Sequence, residues 1–218
     1  MSLEHLIREP AGEPEGALVL SHGRGTSERD LFPLLDELDP ERRLVGIAPG
    51  APLTGIPPGG KHWYVVRRIG HPDPETFAAS YGALTGFLDT KLAELGIGWE
   101  RTVLGGFSMG AVMSYAVGLG PGRPRPAGIL ALSGFVPTVE GWQPEFAGRG
   151  GLPVLIHHGR ADPVIGVEFG RAARELLEGG GLDVTYLESD AAHSVPPEIV
   201  HVAREAVSDM IAARSASG

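Results

Sequence analysis

RTVLGGFSMGAVMSYAVGLG, residues 101–120, reads as an apolar strand that runs into glycines and restarts as a helix, with one serine at the fold. Glycine weakens strands and helices alike, so Gly105, Gly106 and Gly110 around Ser108 need a reason. The pattern G-x-S-x-G between a strand and a helix supplies one. The turn is so sharp that side chains two residues either side of the serine would collide, and the serine Oγ is held above the end of a sheet. The helix amino terminus favours negative charge nearby. A serine that only caps a helix after a glycine turn would carry the same letters, so the rest of the chain has to decide.

Working outward, short apolar runs recur at 17–20, 43–48, 102–107, 128–133, 152–157 and 184–188, each followed by turn residues. Helical patterns lie between them at 30–38, 74–95, 108–119, 167–178 and 197–214. Strands alternating with helices imply parallel strands joined by crossovers, hence an α/β fold: a mostly parallel central sheet covered by helices on both faces. Residues 3–8 suit an additional edge strand. Asp30 is placed to cap the first helix with Pro33 in its first turn, and Gly179, Gly180 and Gly181 end the fourth. Two Pro- and Gly-rich segments, 50–73 and 137–151, read as irregular; both leave from carboxyl ends of strands, where open sheets bind ligands. Both are short, so no large lid is expected.

The 218 residues, 42% of them apolar, suit one domain spanning 1–218 with its own core. A formal charge of −9 argues against nucleic acid, whose phosphates need a basic surface, and favours a small neutral or weakly charged ligand. The absence of cysteine excludes a thiolate nucleophile. The opening MSLEHLIREP has neither the apolar core of a signal peptide nor a membrane anchor, so a soluble, cytoplasmic protein is expected.

A serine alcohol is a poor nucleophile at neutral pH and needs a base, usually histidine, held by an acid. Both are on offer at strand ends: Asp162 in HHGRADP after the fifth run, and His193 in SDAAHS after the sixth. Ser108, Asp162 and His193, in that order, form the candidate catalytic set; Asp190 reads as a turn residue, His157 as a strand residue and His158 as the start of a turn. The oxyanion of a tetrahedral intermediate needs N–H donors. Met109 follows the nucleophile, and Arg24 lies in SHGRGT after the first run, where glycines allow close backbone approach.

Taken together, HGRG at 22–25 with Glu28, Asp30 and Leu31, GFSMG at 106–110, His158-Gly159-x-x-Asp162 and His193 resemble the phospholipase/carboxylesterase family. These are compact α/β hydrolases related to the acyl-protein thioesterases, and the resemblance covers nearly the whole chain. It implies a Ser108–His193–Asp162 triad, an oxyanion hole from the Arg24 and Met109 N–H groups, hydrolysis of short- to medium-chain carboxylic esters and a homodimer. Met109 stands where the thioesterase branch often has glutamine, Ser21 where an apolar residue often precedes His22, and Ile165 where many relatives have proline. These departures turn the reading away from protein depalmitoylation. An acyl-thioesterase, a lysophospholipase and a hydrolase-fold protein that binds a small ligand with little turnover remain as alternatives.

Trp63, Val136, Trp142 and Ile165 are apolar residues after strands and are expected to wall the substrate pocket. The stretch from Gly23 lacks the third glycine of a dinucleotide fingerprint, Glu28 standing in its place. The Gly55–Lys61 stretch matches a P-loop only up to its lysine. No metal-ligand spacing such as His-Glu-x-x-His occurs, so neither metal nor other cofactor is expected.

Overall fold

Alternating apolar residues along six of the strands sort the core into two layers. In the computed structural model, which describes residues 3–55 and 58–215, these strands and one edge strand form a single seven-stranded sheet. In chain order they are β1 (His5–Arg8), β2 (Gly16–Ser21), β3 (Leu44–Pro49), β4 (Thr102–Phe107), β5 (Gly128–Leu132), β6 (Pro153–Gly159) and β7 (Asp183–Ser189). The spatial order is β1-β3-β2-β4-β5-β6-β7. Only β1, the expected edge strand, is antiparallel to its neighbour, with His5 opposite Pro49; the other pairs are parallel, as Leu20 with Gly105 and Gly105 with Leu130. This is the expected α/β-hydrolase architecture.

The helices are α1 (Leu34–Leu38), α2 (Pro74–Leu95), α3 (Met109–Gly118), α4 (Val167–Gly179) and α5 (Pro197–Ser215). Val19, Leu104, Ile129 and Ile156 point to the layer containing α2, α3 and α4. Their strand neighbours Leu18, Val103, Leu130 and Leu155 point to the layer of α1 and α5, against Leu35, Leu38, Val207 and Ile211. A period of two on every strand therefore makes two apolar layers, and α3, buried at all ten residues, is the helix most deeply enclosed.

Some boundaries differ from the sequence reading. Asp30 does not cap α1: its N–H bonds Ser27 O, and Leu34, Leu35 and Asp36 N–H reach back to Leu31, Phe32 and Pro33 in tight turns before the helix begins. Pro33 disfavours a helical residue before it and donates no hydrogen bond. His158 is a strand residue and not the start of a turn, because β6 stays paired with β7 through Gly159 and Ser189. At 128–133, Ser133 drops out of the strand with φ of 53°. Segment 50–73 is not wholly irregular: it holds two small antiparallel ribbons, Leu53–Thr54 with Lys61–His62 and Val66–Arg68 with His71–Pro72. Ile56 and Pro57 of the P-loop-like stretch lie outside the described residues. Among those residues no helix is long and apolar enough to cross a membrane.

Candidate active site

β4 ends at Phe107 and α3 begins at Met109, so the whole reversal is made by Ser108, at φ 56° and ψ −119°. That positive φ is unusual and strained for a residue with a Cβ. Ser108 N–H bonds Leu132 O at 2.8 Å, which pins the turn to β5. The side chain makes no capping bond to the helix it precedes, so the cap explanation of the motif fails. The flanking glycines are steric necessities. A Cβ on Gly106 would lie 2.5 Å from the carbonyl carbon of Gly110, and one on Gly110 would lie 1.8 Å from Ser21 O at the end of β2.

Two turns at neighbouring strand ends bring the partners in. His193 Nδ1 is 2.6 Å from Asp162 Oδ2, and His193 Nε2 is 2.9 Å from Ser108 Oγ. Asp162 Oδ1 accepts the Val164 and Ile165 N–H groups at 2.8 and 2.9 Å. Burial would push this carboxyl up, but the His193 hydrogen bond and the two backbone donors outweigh it and hold its pKa below the ordinary value. Asp162 is therefore an acceptor only, so Nδ1 of His193 carries the proton and Nε2 is left to accept from Ser108 Oγ–H. The turns carrying Asp162 and His193 are packed tightly: a Cβ on Gly159 would lie 2.3 Å from the carbonyl oxygens of both Ala191 and Ala192. The His193 ring also rests on Phe107, centroid to centroid 4.7 Å.

The loop carrying Arg24 lies against Ser108, a Cβ on Gly23 falling 3.6 Å from Ser108 Cβ. Its brace is His22, fully buried: Ala51 N–H donates to Nε2 at 3.0 Å, so Nδ1 carries the proton and donates to Gly23 O at 2.7 Å. Burial lowers the His22 pKa, which keeps the ring neutral. Lys61 closes the loop from outside. Gly25 N–H bonds Lys61 O, Lys61 N–H bonds Thr26 O, and the Lys61 ammonium reaches Glu28 at 2.6 Å and Glu4 at 2.5 Å. Gly60 must be glycine for this approach, since a Cβ there would lie 2.4 Å from Gly25 O. Met109, as the first residue of α3, has an N–H with no acceptor inside the helix.

The expected pocket walls do not assemble. Trp63 is 0% exposed and walls nothing; its indole N–H donates to His22 O at 3.0 Å and its backbone N–H to Met109 Sδ. Ile165 is buried and serves through its backbone, its N–H held by Asp162 and its carbonyl by His158 Nε2 at 2.8 Å. Val136 and Trp142 do share a surface groove of about 480 Å³ with His71 and Leu176, but no candidate triad residue lines it. Apolar character after a strand does not separate pocket wall from core. Asp190 is exposed and paired with Arg160, as a turn residue would be. Sequence reasoning gave Lys61 no place at the site, and it quoted Glu28 and Phe107 only as letters of sequence patterns. The Gly59-Gly60 pair before Lys61 was the available signal of a close backbone approach.

Known proteins share this fold and sequence pattern. Acyl-protein thioesterase 1 of Debaryomyces hansenii is 28% identical over 226 residues, 94% of this chain and 95% of its own length. Acyl-protein thioesterase 1 homolog 1 of Dictyostelium discoideum is 25% identical over 193 residues, 84% of this chain and 85% of that one. Among solved structures, a carboxylesterase of Bacillus cereus shares the fold with a TM-score of 0.83 at 23% identity, over 95% of this chain and 94% of its own. Esterase PE8 matches with a TM-score of 0.81 at 25% identity, over 96% of this chain and all of its own. The phospholipase/carboxylesterase family model matches residues 4–211, a span that takes in every strand of the sheet together with Ser108, Asp162 and His193. The chain belongs to the phospholipase/carboxylesterase family.

Proposed function

We propose that the protein is a serine carboxylesterase that hydrolyses short- to medium-chain carboxylic esters through an acyl-enzyme. The observation that carries the reading is the continuous hydrogen-bonded chain from Ser108 Oγ through His193 to Asp162. Ser108 Oγ attacks the ester carbonyl while His193 Nε2 takes its proton; ionised Asp162 stabilises the resulting imidazolium. The Arg24 and Met109 N–H groups receive the negative charge that develops on the carbonyl oxygen, each donor worth on the order of 100- to 1,000-fold in rate. His193 returns the proton to the leaving alcohol as the intermediate collapses. Water, activated by the same histidine, then frees the acid. Segments 50–73 and 137–151 are too short to form a large lid, which supports soluble esters over emulsified lipid.

The test is hydrolysis of p-nitrophenyl esters from acetate to palmitate by the wild type and Ser108→Ala. Turnover that depends on Ser108 and peaks at short chains supports the reading, whereas full activity in Ser108→Ala, or no turnover by folded wild type, overturns it. A thioesterase is the second reading, favoured by the named activity of the curated relatives. Matched oxygen and thiol esters of one acyl group separate the two.

A further inference from the structure

Phe107, His193, Leu31, Leu34 and Val195 line a groove of about 520 Å³ on the flank of the base, and none of the residues expected to wall the pocket takes part in it. We propose that this groove is the leaving-group subsite and that it takes the neutral, apolar alcohol half of the ester, of aryl or branched-alkyl size. The inference rests on the esterase reading above.

Whatever alcohol leaves must take its proton from His193 Nε2, so its oxygen has to come within hydrogen-bond reach of that atom. The group attached to that oxygen then continues along a wall that His193 itself forms. The floor beyond is apolar: the Phe107 ring packs at a tilt against the His193 ring, and Leu31, Leu34 and Val195 are half-buried beside it. Such a surface gains by covering an apolar substituent.

Charge then narrows the class. The lining includes the exposed carboxylates of Asp30 and Glu37 and, His193 apart, no basic side chain. The amino end of α5 borders the groove, yet it offers little to an anion: Pro197 has no N–H, and those of Ile199 and Val200 already bond Pro196 O. Phosphorylated or otherwise anionic leaving groups would meet repulsion from these carboxylates.

The experiment compares benzyl acetate with ethyl acetate, which share an acyl group and release alcohols of similar acidity. Wild type should prefer benzyl acetate in kcat/KM by about tenfold, the scale on which an apolar contact discriminates substrates. Val195→Asp and Leu31→Asp, each checked for folding by thermal melting, should collapse that ratio towards one. Neither should alter the ratio of ethyl hexanoate to ethyl acetate, which reads the acyl side. Wild type that hydrolyses both acetates without preferring benzyl overturns the subsite alone. So does a folded variant pair that shifts the acyl ratio and spares the benzyl ratio. Wild type that hydrolyses neither acetate overturns the esterase reading and the subsite with it.

Discussion

Replacing Gly106 by alanine tests whether the turn at Ser108 is the steric device described above. The added Cβ would lie 2.5 Å from Gly110 C and 2.6 Å from Gly110 O, roughly 0.9 Å inside the 3.4 Å at which ordinary contact begins. Both clashing atoms are backbone in the first turn of a buried helix, so no side-chain rotation relieves them and the turn itself must open. A displacement approaching 1 Å at a reacting group costs about 100-fold in rate. The expected result is a fall of that order in kcat on p-nitrophenyl acetate, in a protein whose melting curve remains cooperative. Gly105→Ala is the comparator. Its Cβ would meet the end of the Leu20 side chain at 2.8 Å, a contact that can yield, so stability should drop while kcat changes by less than about threefold. Equal kcat losses in the two variants, or an unchanged kcat in Gly106→Ala, would refute the steric account.

Three further outcomes are expected. Asp162→Asn keeps the shape but can donate to His193 and so favour the wrong tautomer; kcat should fall by on the order of 1,000- to 10,000-fold, measured on the same ester. Lys61→Met removes the ammonium that ties Glu28 and Glu4 over the Arg24 loop, and should lower kcat about tenfold with KM little changed, while Lys61→Arg restores most of it. His157 is buried against Ser189 Oγ, and burial pushes its pKa down from 6.5 to about 4. Because the unfolded chain binds this proton first, stability is greatest above 6.5 and falls as pH drops toward 4. The stability advantage of wild type over His157→Gln should therefore shrink by about 2 kcal/mol between pH 7 and pH 5 in urea titrations, and a constant difference would contradict it.

What could be read from the sequence was what is local. Ser108, Asp162 and His193 each sit directly after an apolar run, and strand order alone brings those ends to one edge. The strands themselves were legible because burial on both faces makes each of them a short continuous apolar run. The first helix was overextended because Asp30 and Pro33 carry the right letters for a start, yet the chain there is spent on tight turns. The clamp formed by Lys61, Glu28 and Thr26 was hidden because it depends on which loop pairs with which, and no spacing within either loop records that. Trp63 was misplaced for a related reason: a tryptophan after a strand looks the same whether it faces a substrate or a neighbouring carbonyl.

Trp63 joins the two halves of the proposed oxyanion hole. Its indole N–H holds the carbonyl of His22, one residue before the loop that carries Arg24, and its backbone N–H touches the sulfur of Met109. Two segments more than eighty positions apart in the chain are thereby referenced to one fully buried residue. The entropy of ordering that pair is incurred once, when the chain folds, and not again at each turnover. Substrates then compete on what they touch and not on how much of the site each must first organise.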